Sequence, residues 1–285
     1  MKKNLFRKYG LFIFLLCSIN GYAQQVLYDL NYSASKIPQC EMDLYLPNKA
    51  EKFPSIVFLH EGGLIGGDKR ENNLPQIAKK FQDDGIAVAL VNYRLSPALW
   101  PAEPDDACEA FAWVKKHISG YGGDSTAIFI AGHSSGALLA ALVSTDPKYM
   151  AKQGFTTNDI AGSIIMGTQL QAIVPAVSET RLNDYFQNNE YFRIFQNRQT
   201  FEDASPALHI NKNIPAMRFI IAEAEQINPP ILSQTEGFVN QAKVFNKDIR
   251  YDVIPDRRHI TNLTKMIEPN DPVYRIIKDF ISPGK

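Results

Sequence analysis

Apolar runs with the length of β-strands alternate with segments of helical periodicity along most of this chain of 285 residues. The strand-like runs cover residues 42–46, 55–60, 86–93, 127–131, 160–166, 217–222 and 249–254. Helical spacing of apolar side chains occurs at residues 74–81, 105–117, 136–143, 234–245 and 273–281. Strands that alternate with helices form βαβ units, which build a mostly parallel sheet with helices on both faces. We therefore predict one α/β domain over residues 24–285.

Two segments depart from the pattern of buried parallel strands. Residues 42–46 alternate between apolar and polar side chains, which predicts a half-buried strand at an edge of the sheet. Residues 169–210 are polar and aromatic and interrupt the alternation of strands and helices. A long insertion of this kind commonly forms a lid or a pocket wall. We predict that it is a cap over the carboxyl edge of the sheet.

The pentapeptide GHSSG at residues 132–136 directly follows the strand-like run 127–131 and opens a helical segment. It matches the G-x-S-x-G pattern, in which a serine nucleophile lies on a sharp strand-to-helix turn. Glycines flank the serine because a side chain at either position would clash with neighbouring backbone. The pattern predicts that Ser134 is a nucleophile and that the backbone N–H of Ser135 donates to an oxyanion.

A second glycine-rich segment, HEGG at residues 60–63, directly follows the strand-like run that ends at Leu59. Glycines here allow backbone N–H groups to approach the oxygen of a reacting carbonyl. A glycine-rich loop without a catalytic role is the alternative. We expect His60 to orient or pack this loop, so a general base has to come from elsewhere.

We place the general base at His259, one of five histidines in the chain. His259 follows the last strand-like run and therefore lies at the carboxyl edge of the predicted sheet, as Ser134 does. An imidazole titrates near neutral pH and can accept the proton of a serine hydroxyl. The other four lie in the two glycine-rich loops, at a helix end or after a Ser-Pro pair: His60, His133, His117 and His209.

A carboxylate that orients the imidazole is expected after the strand-like run 217–222, where Glu223 and Glu225 follow. It would hold the correct tautomer of His259 and stabilise the cation. We prefer Glu225, because a residue three positions beyond the strand lies on the loop, whereas Glu223 is held near the strand end. The sequence leaves Glu223 open as the alternative.

The first 23 residues have the pattern of a secretory signal peptide. Four basic residues precede a short apolar run at 11–19, and Gly21-Tyr22-Ala23 supplies the small residues of a cleavage site. The run is shorter than the roughly 20 apolar residues that span a bilayer. An uncleaved anchor is the alternative. We expect cleavage after Ala23 and a secreted or periplasmic protein without a membrane span.

Composition and charge exclude several classes of protein. A hydrophobic share of 45% excludes global disorder. The chain has 30 basic and 30 acidic residues, and cleavage after Ala23 would leave 26 basic and 30 acidic residues. This balance of charge gives no general electrostatic reason to expect nucleic-acid binding. The three cysteines of the chain, Cys17, Cys40 and Cys108, are too few for a disulfide scaffold. Cleavage would leave Cys40 and Cys108, which could pair in an oxidising compartment, but we expect two unpaired buried thiols.

With these motifs, residues 42–281 resemble the α/β-hydrolase superfamily, and look similar to carboxylesterases related to hormone-sensitive lipase and to feruloyl- and acetyl-esterase-like hydrolases. The segment HEGGLIGGDK at 60–69 is similar to the family's HGGGW-x-x-GDK loop. NYRLSP at 92–97 resembles the signature at the end of a strand, and YGGD at 121–124 resembles the turn before the elbow strand. The resemblance implies an α/β-hydrolase fold with a mostly parallel central sheet and a cap-like insertion.

The resemblance also implies roles for six residues and no metal or organic cofactor. They are Ser134 as nucleophile, His259 as base, Glu225 as acid, and Gly62, Gly63 and Ser135 as oxyanion-hole donors. The chain departs from the family pattern at three positions. Glu61 replaces the first glycine of the loop, Leu64 stands where tryptophan is frequent, and the acid is Glu where Asp is commoner.

The function that follows is hydrolysis of a short-chain or small carboxylic ester through an acyl-enzyme, with a small-molecule ester as the expected partner. A polysaccharide deacetylase or feruloyl esterase is one alternative, because a secreted protein can meet an extracellular polymer. A non-catalytic binding protein with the same fold is the other. Glu61 motivates it, because a carboxylate beside an oxyanion hole disfavours an anionic transition state. The sequence does not determine the oligomeric state.

Overall fold

The computed structural model describes residues 25–48, 52–226, 230–245 and 248–282, and the predicted signal peptide lies outside these ranges. Within them, eight strands form one sheet: β1 Gln25–Asn31, β2 Glu41–Leu46, β3 Phe53–Leu59, β4 Ala87–Val91, β5 Gly123–His133, β6 Gly162–Met166, β7 Met217–Ala222 and β8 Ile249–Ile254. The helices in the same ranges are α1 Leu74–Asp83, α2 Ala102–His117, α3 Ser135–Thr145, α4 Pro147–Lys152, α5 Glu179–Asn188, α6 Glu190–Phe195, α7 Arg198–Asp203, α8 Ile231–Ala242, α9 His259–Thr264 and α10 Pro272–Ile281.

The strand order is β1-β2-β4-β3-β5-β6-β7-β8. The six strands from β4 to β8 in this order are parallel, and β1 and β2 are antiparallel to their neighbours. The predicted α/β-hydrolase architecture is therefore confirmed. Because parallel strands end at the same edge, the segments that follow β3, β5, β6, β7 and β8 meet there.

The hydrophobic core lies in two layers, one on each face of the sheet. Side chains of α2, α3 and α8 pack in one layer, and side chains of α1, α9 and α10 pack in the other. All five residues of β4, with the sequence AVALV, are buried. A parallel strand between two helical layers is apolar on both faces for this reason.

The prediction that residues 42–46 form an edge strand is wrong. This strand, β2, pairs with β1 on one side and with β4 on the other. The polar residue that produced the alternating pattern, Asp43, is fully buried and accepts hydrogen bonds from the guanidinium of Arg70. An ion pair satisfies this carboxylate, so its polarity does not indicate solvent exposure.

Residues 169–210 contain the three short helices α5, α6 and α7. Their aromatic side chains pack on one another, and the ring of Phe195 also contacts Trp100 at a centroid distance of 5.0 Å. The backbone N–H of Trp100 donates to the carbonyl oxygen of Ile194 at 2.9 Å. Mutual aromatic packing and this contact hold the segment against the main domain.

Both cysteines of the described ranges, Cys40 and Cys108, are buried and unpaired, as predicted. Burial raises the pKa of the Cys40 thiol to about 12, which leaves the reactive thiolate scarce at neutral pH. Among the described residues, no helix combines the length and apolarity needed to cross a bilayer.

Candidate active site

Ser134 lies on a sharp turn between the end of β5 and the first residue of α3. Its φ of 54° and ψ of −120° are unfavourable for a residue with a side chain. Its backbone N–H donates to the carbonyl oxygen of Met166, 2.9 Å away, and its own carbonyl accepts from Leu138 at 3.0 Å. These bonds to β6 and to α3 hold the turn in its strained conformation.

The two glycines that flank Ser134 are required by close backbone contacts. A Cβ on Gly132 would lie 2.3 Å from backbone atoms of Gly136. A Cβ on Gly136 would lie 2.2 Å from the carbonyl oxygen of Leu59, at the end of β3. The turn therefore packs directly against the neighbouring strand, which leaves no space for a side chain at either position.

Glu225 and His259 form a carboxylate–imidazole pair across the ends of β7 and β8. Glu225 Oε1 makes a short hydrogen bond with Nδ1 of His259. Glu225 Oε2 accepts a second hydrogen bond, at 2.6 Å, from the backbone N–H of Ala222. The Glu225 side chain is 4% exposed, whereas that of His259 is 45% exposed. A buried acid therefore holds an imidazole that is accessible to a substrate.

Glu223, the alternative acid, has a different contact. Its Oε2 accepts a hydrogen bond of 2.9 Å from the backbone N–H of Asp256, in the loop that leads to His259. The backbone N–H of Ala224 donates to the carbonyl oxygen of Arg257 at 3.1 Å. These bonds join the two loops, so Glu223 supports the position of the His259 loop while Glu225 contacts the ring.

Gly167, which follows β6, is a site residue that the motifs of the sequence did not reveal. Its φ is +60°, and a Cβ at this position would lie 2.5 Å from Glu225 Oε1. The absence of a side chain therefore leaves the space that the Glu225 carboxylate occupies. A lone glycine directly after a strand at the carboxyl edge was the available signal.

Gly167→Ala is expected to lower kcat/KM for an ester about 10- to 100-fold, because the added methyl group displaces a carboxylate that positions His259. Gly154→Ala is the matched control: Gly154 also has a positive φ, of 79°, but a Cβ added there would meet no other atom within 4 Å. Both substitutions introduce backbone strain of about 1 kcal/mol. Steady-state kinetics and thermal melting of the two variants check the prediction, and equal kcat/KM values would contradict it.

The glycine-rich loop after β3 contacts the start of α3. The backbone N–H of Gly63 donates to the Ser135 hydroxyl at 3.0 Å. The Tyr93 hydroxyl lies 3.5 Å from the same oxygen and donates to the carbonyl of His60 at 2.8 Å. Gly62 has a φ of 126° and forms the tight turn, since its carbonyl accepts from the N–H of Gly66 at 3.0 Å. Gly63 and Ser135 thus lie side by side, and Gly62 shapes the loop behind them.

A cavity of about 430 Å³ joins these elements at the carboxyl edge. Ser134, Glu225 and His259 line it together with Gly63 and Ser135, whereas Gly62 is not a lining residue. The remaining lining residues come from the end of β6, from α3, from α6 and from the β7–α8 region: Leu138, Gly167, Thr168, Gln169, Tyr191, Ala224 and Ile231. The structure therefore brings five of the six predicted site residues to one cavity.

Known proteins with similar sequences are named as ester hydrolases. The chain is 33% identical over 227 residues to the probable carboxylic ester hydrolase LipM of Mycobacterium tuberculosis, and the match covers 74% of this chain and 50% of that protein. The chain spans about half the length of the curated relatives that it matches first.

Solved structures show the same fold at low sequence identity. The propionate-bound esterase Est2 of Thermogutta terrifontis has a TM-score of 0.68 at 20% identity, and the match covers 90% of this chain and 93% of that one. A bifunctional GH43-CE protein of Bacteroides eggerthii has a TM-score of 0.69 at 18% identity, and the match covers 90% of this chain and 37% of that one.

The family model that matches this chain spans residues 42–241, from the second strand to the last helix before β8. The matched segment contains the glycine-rich loop, the turn at Ser134 and Glu225, and it ends before His259. More than half of the chain is included. The chain belongs to the BD-FAE family of α/β-hydrolases.

Proposed function

We propose that this protein is a serine carboxylic ester hydrolase that acts through an acyl-enzyme. The convergence of Ser134, Glu225 and His259 on one cavity carries the proposal. A hydroxyl on a strained turn, an imidazole held by a buried carboxylate and N–H groups at a helix start are the parts that acyl transfer requires. Membership of the BD-FAE family and the names of the relatives support the same chemistry.

In the acylation step, Ser134 Oγ attacks the carbonyl carbon of the ester while His259 Nε2 takes the hydroxyl proton. Glu225 accepts a hydrogen bond from the Nδ1–H of His259, which keeps Nε2 available as the base and stabilises the imidazolium that forms. The tetrahedral intermediate then collapses. The bond to the alcohol oxygen breaks, and the alcohol leaves with the proton from Nε2.

Deacylation repeats the same proton transfers with water as the nucleophile. His259 Nε2 takes a proton from the water as its oxygen attacks the acyl carbon, and the proton returns to Ser134 Oγ when the acyl bond breaks. The exposed imidazole suits this step, because water reaches it from the open side of the cavity. The products are a carboxylic acid and the free serine.

The Ser135 N–H at the start of α3 is the first donor for the oxyanion, because helix N-termini present free N–H groups and a positive dipole end. The Gly63 N–H lies beside it and is shared with the Ser135 hydroxyl. Gly62 holds this loop in its tight turn, so it acts on the oxyanion hole through the position of Gly63. Loss of one such donor typically raises a barrier by about 3–4 kcal/mol.

The shape of the cavity favours a small acyl group. Tyr191 lines the catalytic cavity and also an adjoining space of only about 20 Å³, which is closed by Phe195 and Phe201. Leu138 borders both spaces. An adjoining space of this size has room for about one methyl-sized group. We place the acyl chain on this side of the cavity, where the aromatic packing of the segment 169–210 would limit its length.

Tyr191→Ala is expected to shift the preference from p-nitrophenyl acetate towards the hexanoate by about 10-fold or more, because removing the ring joins the two spaces. Tyr185→Ala is the control, since Tyr185 packs on Phe192 in the same segment but lines neither space. The ratio of kcat/KM values for the two esters measures the shift. An unchanged ratio in Tyr191→Ala would contradict the proposed acyl pocket.

The function as a whole is tested with a p-nitrophenyl ester series, acetylated xylan and a fluorophosphonate probe. Short esters should be hydrolysed, and the probe should label Ser134 alone. Faster turnover of acetylated xylan than of p-nitrophenyl acetate would favour a polysaccharide deacetylase. A folded protein that neither hydrolyses esters nor takes the label would favour the non-catalytic binding protein over an enzyme.

We also propose that the chain is exported and cleaved after Ala23. The basic residues, short apolar run and small residues of the first 23 positions support this. Expression of the full chain in a bacterium should yield a periplasmic or secreted protein whose N-terminal sequence starts at Gln24. Recovery of the uncut chain in the membrane fraction would support the anchor instead.

A further inference from the structure

His259 lines the cavity, His133 contacts His259, and Glu61 contacts His133 from the other side. His133 is fully buried, and its Nε2 lies 3.0 Å from the backbone carbonyl oxygen of His259. The two imidazole rings are 4.5 Å apart between centroids and are tilted by 38°. On its other side, His133 Nδ1 lies 3.7 Å from Glu61 Oε2. His133 therefore connects a buried carboxylate to the residue proposed as the general base.

The contacts of His133 determine where its protons lie. A carbonyl oxygen only accepts hydrogen bonds, so His133 Nε2 must carry a hydrogen and donate it to His259. In a neutral imidazole, Nδ1 would then be an acceptor that faces Glu61 Oε2. Both atoms are buried, and neither has a hydrogen-bond partner among the described residues. Two buried acceptors without a donor are unfavourable. A proton on His133 Nδ1 turns one of the two acceptors into a donor and makes the contact with Glu61 an ion pair.

Glu61 is held in this contact by a second partner. Its Oε1 accepts a short hydrogen bond from the side-chain amide of Asn72. Burial opposes ionisation of Glu61, but the nearby His133 ring and the hydrogen bond from Asn72 outweigh it and lower the pKa of the carboxyl. Glu61 is not one of the residues that line the catalytic cavity.

We propose that Glu61 and His133 form a buried carboxylate–imidazolium pair that positions His259 for catalysis. The pair fixes the backbone carbonyl of His259 and places a positive charge beside its ring. This inference rests on the proposed role of His259 as the base. It assigns a positioning function to Glu61, the residue that replaces the first glycine of the loop in the family pattern.

The pair has a consequence for proton uptake by His259. An imidazolium beside a second imidazole disfavours protonation of the second ring, because the two positive charges repel each other. Several other titratable groups surround the three side chains and stay unchanged when Glu61 is replaced. They are Glu225 against His259, and His60, Asp68, Glu71 and Tyr93 around the loop that carries Glu61.

Glu61→Gln is the variant that tests the charge, because glutamine keeps the size of the side chain and its amide can donate to a neutral His133 Nδ1. Loss of the carboxylate should release the proton from His133. The acid limb of the kcat/KM–pH profile should then move to higher pH by about 0.5 to 1 unit, because His259 loses a neighbouring positive charge. Glu71→Gln removes a nearby exposed carboxylate and should leave the limb in place.

The direction of the shift separates the pair from its main alternative. If His133 were neutral and Glu61 a lone carboxylate, its removal would move the acid limb to lower pH. A shift to lower pH, or no shift, would overturn the proposal. A purely structural role of Glu61 would lower the melting temperature without moving the limb, and that result also counts against it.

A measurement on the unmodified protein does not depend on ester hydrolysis. The ¹⁵N shifts of His133, assigned by comparison with His133→Gln, should show both ring nitrogens protonated at pH 8, where an ordinary imidazole has lost its second proton. A neutral His133 at pH 8 would overturn the pair even in an active esterase. If His133 is an imidazolium but the protein has no esterase activity, the proposed pair stands and only the proposed function is contradicted.

Discussion

Ser134→Ala is expected to lower kcat/KM for p-nitrophenyl acetate by about 10⁴-fold or more, to the residual rate that binding and oxyanion stabilisation support. The variant removes only the oxygen that forms the acyl-enzyme bond. Alanine retains the Cβ that already tolerates the strained φ of 54°, so the turn at the end of β5 should persist. Ester hydrolysis and fluorophosphonate labelling measure the loss, and thermal melting checks the fold.

Ser233→Ala is a suitable control for this experiment. Ser233 is exposed, and its hydroxyl donates to the carbonyl oxygen of Pro230 at the start of α8. This variant should hydrolyse esters at close to the unmodified rate. If Ser134→Ala keeps comparable activity while folded, Ser134 is not the nucleophile and the proposed mechanism is incorrect.

Glu225→Gln is expected to lower kcat about 10³- to 10⁴-fold, which is the effect of removing the charge of the acid from a serine–histidine–carboxylate triad. The amide stabilises the wrong tautomer of His259 by donating to Nδ1, so Nε2 carries the hydrogen and no longer accepts the Ser134 proton. In this orientation the amide oxygen still accepts the N–H of Ala222, whereas the opposite orientation would place the amide nitrogen against that N–H, so the unproductive arrangement is favoured. The loss should appear in kcat at saturating ester.

Glu223→Gln is the matched control, since it removes the same charge two residues away. The Glu223 carboxylate accepts the N–H of Asp256, and the amide oxygen of glutamine can accept the same bond. We expect a loss below about 10-fold, because the His259 loop retains its bond between Ala224 and Arg257. A larger loss in Glu223→Gln than in Glu225→Gln would reverse the assignment of the acid.

The buried strands were predictable because their composition follows directly from their environment. Strand β7 begins and ends where the apolar run 217–222 does, and five of its six residues are buried. Strand β1 was not predicted, since its burial pattern is irregular and its register with β2 shifts between Leu27 and Leu30. Its existence depends on backbone pairing with β2 and not on the burial of one face, so local periodicity does not show it.

The start of the helix that carries His259 was also missed. His259 was placed just after the last strand, and the structure shows that it is the first residue of a helix, α9, that was not predicted. This helix has only six residues, which is too short for a helical period to be recognised. Buried contacts stabilise it: Leu263 is in the core, and the guanidinium of Arg257 donates to the carbonyl of Thr261 at 2.7 Å.

The alternation of buried strands with long helices, the turn at Ser134 and the location of His259 after the last strand were determined by the sequence, because each depends on local periodicity or on a contiguous motif. Only the tertiary structure decided that Glu225 rather than Glu223 contacts His259, that Gly167 leaves space for this carboxylate, and that Glu61 faces His133. Each of these contacts is made between residues at the ends of different strands. Side-chain contacts at a shared sheet edge depend on ångström-scale placement of several backbones at once, which no local pattern encodes.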